Sequence, residues 1–195
     1  SDFSANRRKL AERCGADIVI NPAQNSPFEN WKELGLLGDA AEALNYGLGL
    51  FDKLQATGIP WWHAWRVADK LGALPKRPVI FECVGVPGIL QQIIDGAPLL
   101  SKIIGVGVCM QSDRIEPALA INKEIEMQFV LGYTPLEFRD ALHMIAEGKI
   151  DCTPLITGIV GLDGVINAFS ALRDPESHAK ILVDPKKVGS EISKK

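Results

Sequence analysis

Residues 79–88, VIFECVGVPG, are the most informative stretch of this chain for its fold. Its first residues are β-branched and aromatic, which is typical of a buried strand, and Gly85 marks a turn at the end of that strand. Pro87 suits the first position of a helix, where its missing N–H needs no partner. Apolar residues then recur at helical spacing, at Ile89, Leu90, Ile93 and Ile94. The stretch therefore predicts a strand, a tight turn and a helix in succession.

Three further apolar runs predict strands on either side of this unit. They are DIVI at 17–20, KIIGVGV at 102–108 and IEMQFVL at 125–131. A helix capped by Ser4 is predicted over 5–14, and strands separated by helical segments pair in parallel through crossover connections. The fold class predicted is α/β, with a partial Rossmann-like, doubly wound parallel sheet. Two later helices, with apolar faces at 138–145 and 162–172, and a short strand over 181–183 follow.

Residues 31–77 interrupt this alternation and predict a helical insertion. Residues 39–54 are weakly helical, and the segment 60–71 places Trp61, Ala64 and Trp65 on one helix face, with Trp62 off that face. One interpretation is a helical hairpin that packs on the sheet or on itself. The other is an exposed aromatic patch that serves as an oligomer interface or as a lid over substrate.

Composition excludes several classes of function. The 195 residues are 47% apolar and carry 21 basic and 24 acidic side chains, a net charge of −3, so a nucleic-acid partner is not expected. No apolar run is long enough to span a bilayer, so no membrane partner is expected. The four cysteines are widely spaced without a C-x-x-C pair, which predicts free thiols in the cytoplasm and no metal site formed within the chain.

Two kinds of residue suggest a dinucleotide. Asp2 stands where a strand would end before a helix, and an acid there can bond the ribose hydroxyls of NAD and exclude a 2′-phosphate. The competing interpretation of Asp2 is a helix cap or a partner of the helix dipole. Gly85 follows one predicted strand, and Gly105 and Gly107 lie at the end of another, where glycine lets a backbone approach a ligand. No G-x-G-x-x-G phosphate loop is present.

The order of these pieces resembles the C-terminal part of the zinc-containing alcohol dehydrogenases, in the medium-chain dehydrogenase/reductase superfamily. The matching stretches are SDFSANRRKLAERCGADIVINP, VIFECVGVPG, GVGVC, FVLGYTP and GLDGVINAFSALRDPESHAKILVDP. They occur in family order and leave out only the region of about 31–77.

The resemblance implies cofactor-binding roles along the chain. Asp2, with Arg7 beside it, would hold the adenosine ribose, and Lys180 would lie near the pyrophosphate. Val84 and Gly85 would border the cofactor. The nicotinamide would be passed by Gly105, Val106, Gly107 and Val108, and its carboxamide would be bonded by the backbone of Leu131, Gly132 and Tyr133. NAD is expected rather than NADP. The implied substrate is a small alcohol or carbonyl compound, and homo-oligomers pairing through a sheet edge near 102–109 and 125–131 are implied as well.

Departures from the family pattern qualify this expectation. The domain that holds the catalytic zinc is missing, as are the first strand and the proton-relay hydroxyl, so no catalytic residue and no zinc ligand is assigned to this chain. Leu100, Ser101 and Lys102 replace a glycine-rich turn. We expect a fragment, inactive alone, with a partial NAD-binding domain over 1–132 and the C-terminal part of a catalytic domain over 133–195.

Two other functions remain open from the sequence. The chain could be a non-catalytic interaction module that retains half a Rossmann sheet and binds through its tryptophan-rich insertion. It could also be a different Rossmann-like enzyme such as a methyltransferase, although the stretches VIFECVGVPG and FVLGYTP argue against that. Fold alone does not separate these alternatives.

Overall fold

A computed structural model describes residues 1–29, 31, 33–56, 58–72 and 75–193. Within the predicted insertion, Lys32, Thr57, Ala73 and Leu74 lie outside the described residues. In chain order the elements are α1 (Ala5–Arg13), α2 (Ala40–Gln55), α3 (Trp61–Lys70), β1 (Val79–Glu82), α4 (Ile89–Gly96), β2 (Lys102–Gly105), α5 (Pro117–Asn122), β3 (Glu126–Phe129), α6 (Pro135–Ala146), β4 (Ile156–Val160), α7 (Val165–Ala171) and β5 (Lys180–Val183). Short 3₁₀ turns precede β4 and α7.

Two compact units make up the chain. One unit combines Ser1–Pro27 with Tyr133–Lys195, and the other is Phe28–Gly132. The first 27 residues therefore group with the C-terminal segment, whereas the sequence analysis assigned them to the cofactor domain. The predicted domains, a partial NAD-binding domain over 1–132 and part of a catalytic domain over 133–195, stay a prediction.

The unit Phe28–Gly132 is built on a parallel three-stranded sheet. Its strand order is β1-β2-β3, with Ile103 of β2 opposite Ile80 and Met127. Ile103 of β2 and Ile94 of α4 are fully buried. Ile93 of α4 and Ala97, which directly follows that helix, complete the core between α4 and the sheet. The predicted α/β class with parallel strands is confirmed.

The unit that contains both chain ends has a smaller parallel pair, β4 with β5. Val160, Ala168 and Ile181 form its core, with Ile192 packed against them. The sequence analysis predicted β5 but not β4. Ser4 caps α1 as expected, since its Oγ accepts from Arg7 N at 3.1 Å, and Gly15 follows the helix with φ at +94°.

The strand predicted over 17–20 is wrong. These residues form no strand, and Ile18 is exposed. A single backbone bond links them to the start of the chain, from Asp2 N to Ile20 O at 3.2 Å. A strand is defined by the neighbour with which it pairs, and the described residues place no strand beside this segment.

Other predicted strands exist but are shorter. The runs at 102–108 and 125–131 pair only over Lys102–Gly105 and Glu126–Phe129, because both lead into turns at the sheet's edge. Val79 and Phe81 of β1 are exposed, so β1 is not buried on both faces as its apolar sequence predicted. Leu100, at the departure from the glycine-rich turn, has φ at +62°, a left-handed conformation that glycine adopts without strain.

The insertion forms a helical hairpin, as one of the two interpretations predicted. Helix α3 packs on α2, and the rings of Phe51 and Trp61 meet edge to face with centroids 5.8 Å apart. A cavity of about 400 Å³ opens between the two helices, lined by Ala43, Leu44, Gly47, Leu48, Phe51, Leu54, Trp61 and Trp65.

Candidate functional site

The carboxyl ends of the three parallel strands meet at one edge of the sheet. Glu82, Gly105 and Phe129 are the last residues of their strands and lie opposite one another in register. The ends of these strands and the segments that follow them hold all the predicted cofactor-binding residues of this unit: Val84, Gly85, Gly105, Val106, Gly107, Val108, Leu131 and Gly132. Ligands of parallel α/β sheets bind at this edge.

Two glycine turns touch at this edge. Gly85 has φ at +69°, and a Cβ there would lie 2.6 Å from Val108 N. A Cβ on Gly107 would lie 2.7 Å from the Glu82 Oε2 atom. Both positions therefore require glycine, because the two backbones pass too closely for any side chain between them.

Glu82 ties the two turns together, and the sequence analysis gave it no role. Its side chain is 5% exposed, and Oε1 accepts hydrogen bonds from Val84 N at 2.6 Å and Gly85 N at 2.8 Å. Its backbone oxygen accepts from Val106 N at 2.8 Å and Gly107 N at 2.9 Å. A charged residue at the end of an apolar strand, directly before a glycine turn, is a signal that could have identified it, since buried acids are almost always bonded.

Apolar side chains stand exposed around these turns. Val84 and Val108 are each 64% exposed, and Leu131 is 97% exposed. Val106 and Phe129 at the same edge are exposed as well. Exposed apolar side chains beside the backbone of glycine turns form the kind of surface on which a planar ring can pack.

Asp2 lies in the other unit, at the start of α1. Its Oδ1 accepts from Ser4 N at 2.7 Å, and Arg7 Nη1 lies 3.9 Å from its Oδ2. Arg8 Nη1 donates to the backbone oxygens of Asp2 and Phe3, at 2.8 and 2.7 Å. Ser4 rather than Asp2 caps the helix, so the carboxylate of Asp2 is not used as the cap.

A second acid, Glu176, lies at the N-terminus of α1. Its two carboxylate oxygens accept from Ala5 N at 3.0 Å and from Asn6 N at 3.2 Å. The Ser4 hydroxyl, followed by the Asn6 and Ala5 amides, holds the pKa of this carboxyl below its ordinary value of 4.5, against the opposing effects of desolvation and of Asp174. Glu176 lies in one of the stretches that match the family pattern, and no role was predicted for it.

The remaining predicted residues lie in the same unit as Asp2. Lys180 begins β5, where its N–H donates to Thr157 Oγ1 at 3.3 Å. Tyr133 is exposed, and its ring stacks on Phe138 with centroids 5.6 Å apart. Each unit thus carries part of the predicted set, and their roles stay predictions.

The residues present do not fit a zinc ion. Across the described ranges no three His, Cys, Asp or Glu side chains gather as ligands. The four cysteines are free and distributed along the chain, at positions 14, 83, 109 and 152. No helix in the described part of the chain is long and apolar enough to cross a membrane.

Comparisons with known proteins point to one group of enzymes. No protein-family model matches the chain. It is 32% identical over 108 residues to an (R,R)-butanediol dehydrogenase from Bacillus subtilis, which covers 55% of this chain and 31% of that protein. It is 24% identical over 175 residues to a 2-dehydro-3-deoxy-L-galactonate 5-dehydrogenase from Pseudoalteromonas atlantica. That match covers 90% of this chain and 46% of the relative. The chain thus spans less than half the length of these relatives.

Solved structures share the fold. A 2R,3R-butanediol dehydrogenase from B. subtilis matches with a TM-score of 0.61 and 24% identity, over 95% of this chain and 42% of that one. An alcohol dehydrogenase from E. coli CFT073, solved with NADH, matches with a TM-score of 0.66 and 18% identity, over 93% and 42%. A zinc-binding dehydrogenase from Sinorhizobium meliloti, bound to NADP, matches with a TM-score of 0.63 and 21% identity, over 94% and 44%. The predicted resemblance, to part of such enzymes, is confirmed.

Proposed function

We propose, from the confirmed resemblance to part of the zinc-containing alcohol dehydrogenases of the medium-chain superfamily, that this chain is the cofactor-binding portion of an NAD-dependent alcohol or polyol dehydrogenase. The observation that carries the proposal is the carboxyl edge of the three-stranded sheet. There two glycine turns in close contact and exposed valines form an apolar surface. The cofactor, when bound, supplies the nicotinamide that accepts or donates hydride.

The residues at this edge fit a nicotinamide ring. Gly85, Gly107 and their neighbours present backbone without side chains, which would let the ring lie close to the sheet. Val84, Val106 and Val108 would cover one face of the ring, and the backbone at Leu131, Gly132 and Tyr133 would bond its carboxamide. Glu82 is hydrogen-bonded to both turns, which would preorganise this surface for the cofactor.

Asp2 and Lys180 would take the adenosine half of the cofactor. A carboxylate at the position of Asp2 accepts hydrogen bonds from ribose hydroxyls and repels a 2′-phosphate, which favours NAD over NADP. Arg7 lies beside that carboxylate, and Lys180 would meet the pyrophosphate as a point charge.

The substrate would be a small alcohol or carbonyl compound, by analogy with the butanediol and galactonate dehydrogenases that match the chain. The described residues gather no zinc ligands, so we expect this chain alone to be inactive. The free thiols favour a cytoplasmic location.

A titration of the chain with NADH tests this proposal. Val108→Asp places a charge on the exposed apolar surface and should weaken NADH binding on the order of tenfold, which corresponds to ~1.4 kcal/mol. Val188→Asp is the matched control, because Val188 is 92% exposed in the other unit. Equal affinity in the two variants, or no NADH binding by the unaltered chain, would refute the proposal. Alcohol oxidation by the chain with NAD and zinc would refute its inactivity.

A second candidate function is an interaction module that acts through the insertion. Exposed Trp61 and Trp62, and the apolar cavity between α2 and α3, favour it. Changing Trp61 and Trp65 to alanine together should then abolish association with a partner or a second copy. Unaltered association, measured by sedimentation, would count against it.

A further inference from the structure

The segment 174–180 joins α7 to β5 and contacts the beginning of α1. The Glu176 carboxylate accepts hydrogen bonds from the Ala5 and Asn6 amides, and the Ser4 hydroxyl donates to Pro175 O at 3.1 Å. The Asn6 side-chain amide also donates to the Glu176 backbone oxygen. These contacts join residues about 170 positions apart in the chain.

The turn held in this way is the one that carries Asp2. Ser4 donates its amide hydrogen to Asp2 Oδ1 at 2.7 Å, and Ser4 is also the residue bonded to Pro175. Ser4 is therefore bonded both to the Asp2 carboxylate and to the segment 174–180.

The segment itself is fastened at both ends. Asp174 Oδ1 accepts from Glu176 N at 3.0 Å, and the Ser177 hydroxyl donates to Asp174 Oδ2. At the other end, Thr157 Oγ1 accepts from Ala179 N at 3.0 Å and from Lys180 N at 3.3 Å. Asp174 thus fixes the conformation of Glu176, and Thr157 anchors Lys180 to β4.

We propose that Glu176 is a positioning residue for the cofactor's adenosine ribose: it holds the turn that presents Asp2 and links that turn to the segment ending in Lys180. The inference rests on the proposed function, since it assigns the ribose to Asp2. The side chain of Glu176 need not touch the cofactor, because it acts through Ser4, Ala5 and Asn6.

Two ligands separate positioning from general support of the fold. ADP-ribose contains the adenosine ribose, whereas nicotinamide mononucleotide does not. Glu176→Ala should weaken ADP-ribose binding about tenfold, by the loss of two charge-assisted bonds that hold the turn, and leave nicotinamide mononucleotide binding within about twofold. Glu176→Gln, which keeps one carbonyl acceptor, should restore part of the affinity. Glu12→Gln, which removes one acid from the exposed face of the same helix, is the control and should change neither ligand.

A double-mutant cycle measures whether Glu176 and Asp2 are coupled in ADP-ribose binding, which general support of the fold would not produce. If Glu176 acts through Asp2, Asp2→Asn should cost little further affinity for ADP-ribose in the Glu176→Ala background. Additive losses, or equal weakening of both ligands, would overturn the proposal.

The amide resonance of Ser4 tests positioning without ligand, because that amide donates to Asp2. It should shift in Glu176→Ala and stay in place in Glu12→Gln. An unmoved resonance would overturn the positioning role. A shifted resonance in a chain that fails to bind ADP-ribose before any substitution would instead overturn the proposed function and leave Asp2 as a residue that Glu176 orients for some other purpose.

Discussion

Glu82 is the residue on which the candidate site depends most. It is a buried acid whose carboxylate bonds two amides of one turn while its backbone oxygen bonds two amides of the other. Burying a carboxylate is costly unless its oxygens accept hydrogen bonds, and here the Val84 and Gly85 amides provide them. The structure thus uses one buried charge to hold two flexible glycine segments in contact.

Glu82→Gln should destabilise the unit Phe28–Gly132. The amide can keep an oxygen at the Oε1 position, but it loses the negative charge that strengthens both bonds there and places donor hydrogens at the Oε2 position. We therefore expect a loss of about 1.5–3 kcal/mol in the free energy of unfolding by urea. Glu126→Gln is the control, since Glu126 bonds Lys102 at 2.8 Å on the exposed surface and should cost less than about 1 kcal/mol. Equal losses in the two variants would contradict the role given to Glu82.

Glu176 should give a pH dependence to the contact between segment 174–180 and α1. Its pKa is lowered, first by the Ser4 hydroxyl, so the ionised form is favoured when folded. That stabilisation is fully present above the ordinary pKa of 4.5 and is lost as the pH falls through the lowered folded value.

Ser4→Ala should therefore raise the pKa of Glu176 toward 4.5, as measured by the titration of its carboxyl carbon resonance, provided that the Ser4 hydroxyl shares its one proton between Pro175 O and the Glu176 carboxylate. Hydrogen exchange at Ala5 and Asn6 should accelerate at a higher pH in this variant than in the unaltered chain. A Glu176 titration that does not move would show that Ser4 is not its main partner.

At the scale of elements, the central strand β2 organises the larger core. Ile103 is fully buried between neighbours of β1 and β3 and packs on α4. Ile103→Ala should lower the free energy of unfolding by about 2–5 kcal/mol, because it removes buried methyl groups and leaves a cavity. Ile121→Ala in exposed α5 is the matched control, with an expected loss well below that, and similar losses in both would contradict this core.

Sequence reasoning identified the elements whose signals are local. The unit of β1, turn and α4 followed from an apolar run, a glycine and a proline, and α1 followed from Ser4 and Gly15. The segment 17–20 has the same apolar signal as β1 but lacks a paired neighbour in the described chain, and pairing is not visible in a local pattern. β4 escaped prediction because its Thr157 and Gly158 interrupt the apolar run that marks a strand.

In the candidate site, too, residues with a local sequence signal were predicted and residues that depend on distant partners were not. Glycine turns such as those at Gly85 and Gly107 are visible in sequence, as is an acid before a helix. Glu82 and Glu176 were not assigned, because their partners lie in backbone that only folding brings near. For Glu176 those partners are about 170 residues away in the chain.

For the whole molecule, the strand order of the sheet limits which strands could pair with a second copy of the chain. Within the three-stranded sheet β2 is hydrogen-bonded on both sides, so residues near 102–109 offer no open strand edge for a second copy. The outer strands are β1 and β3, and of these β3 lies in the region near 125–131 that the family resemblance implies, so we propose that any pairing of that kind uses β3.

The proposal that this chain binds a nicotinamide cofactor concerns the whole molecule, and a map of amide resonances during titration with NADH tests it most directly. We expect the shifts to concentrate in two places, the turns at Val84, Gly85 and 106–108, and the start of α1 around Asp2. Shifts confined to Trp61, Trp62 and their neighbours in the insertion would contradict this account and favour the interaction module. An unchanged spectrum at saturating NADH would contradict cofactor binding by this chain.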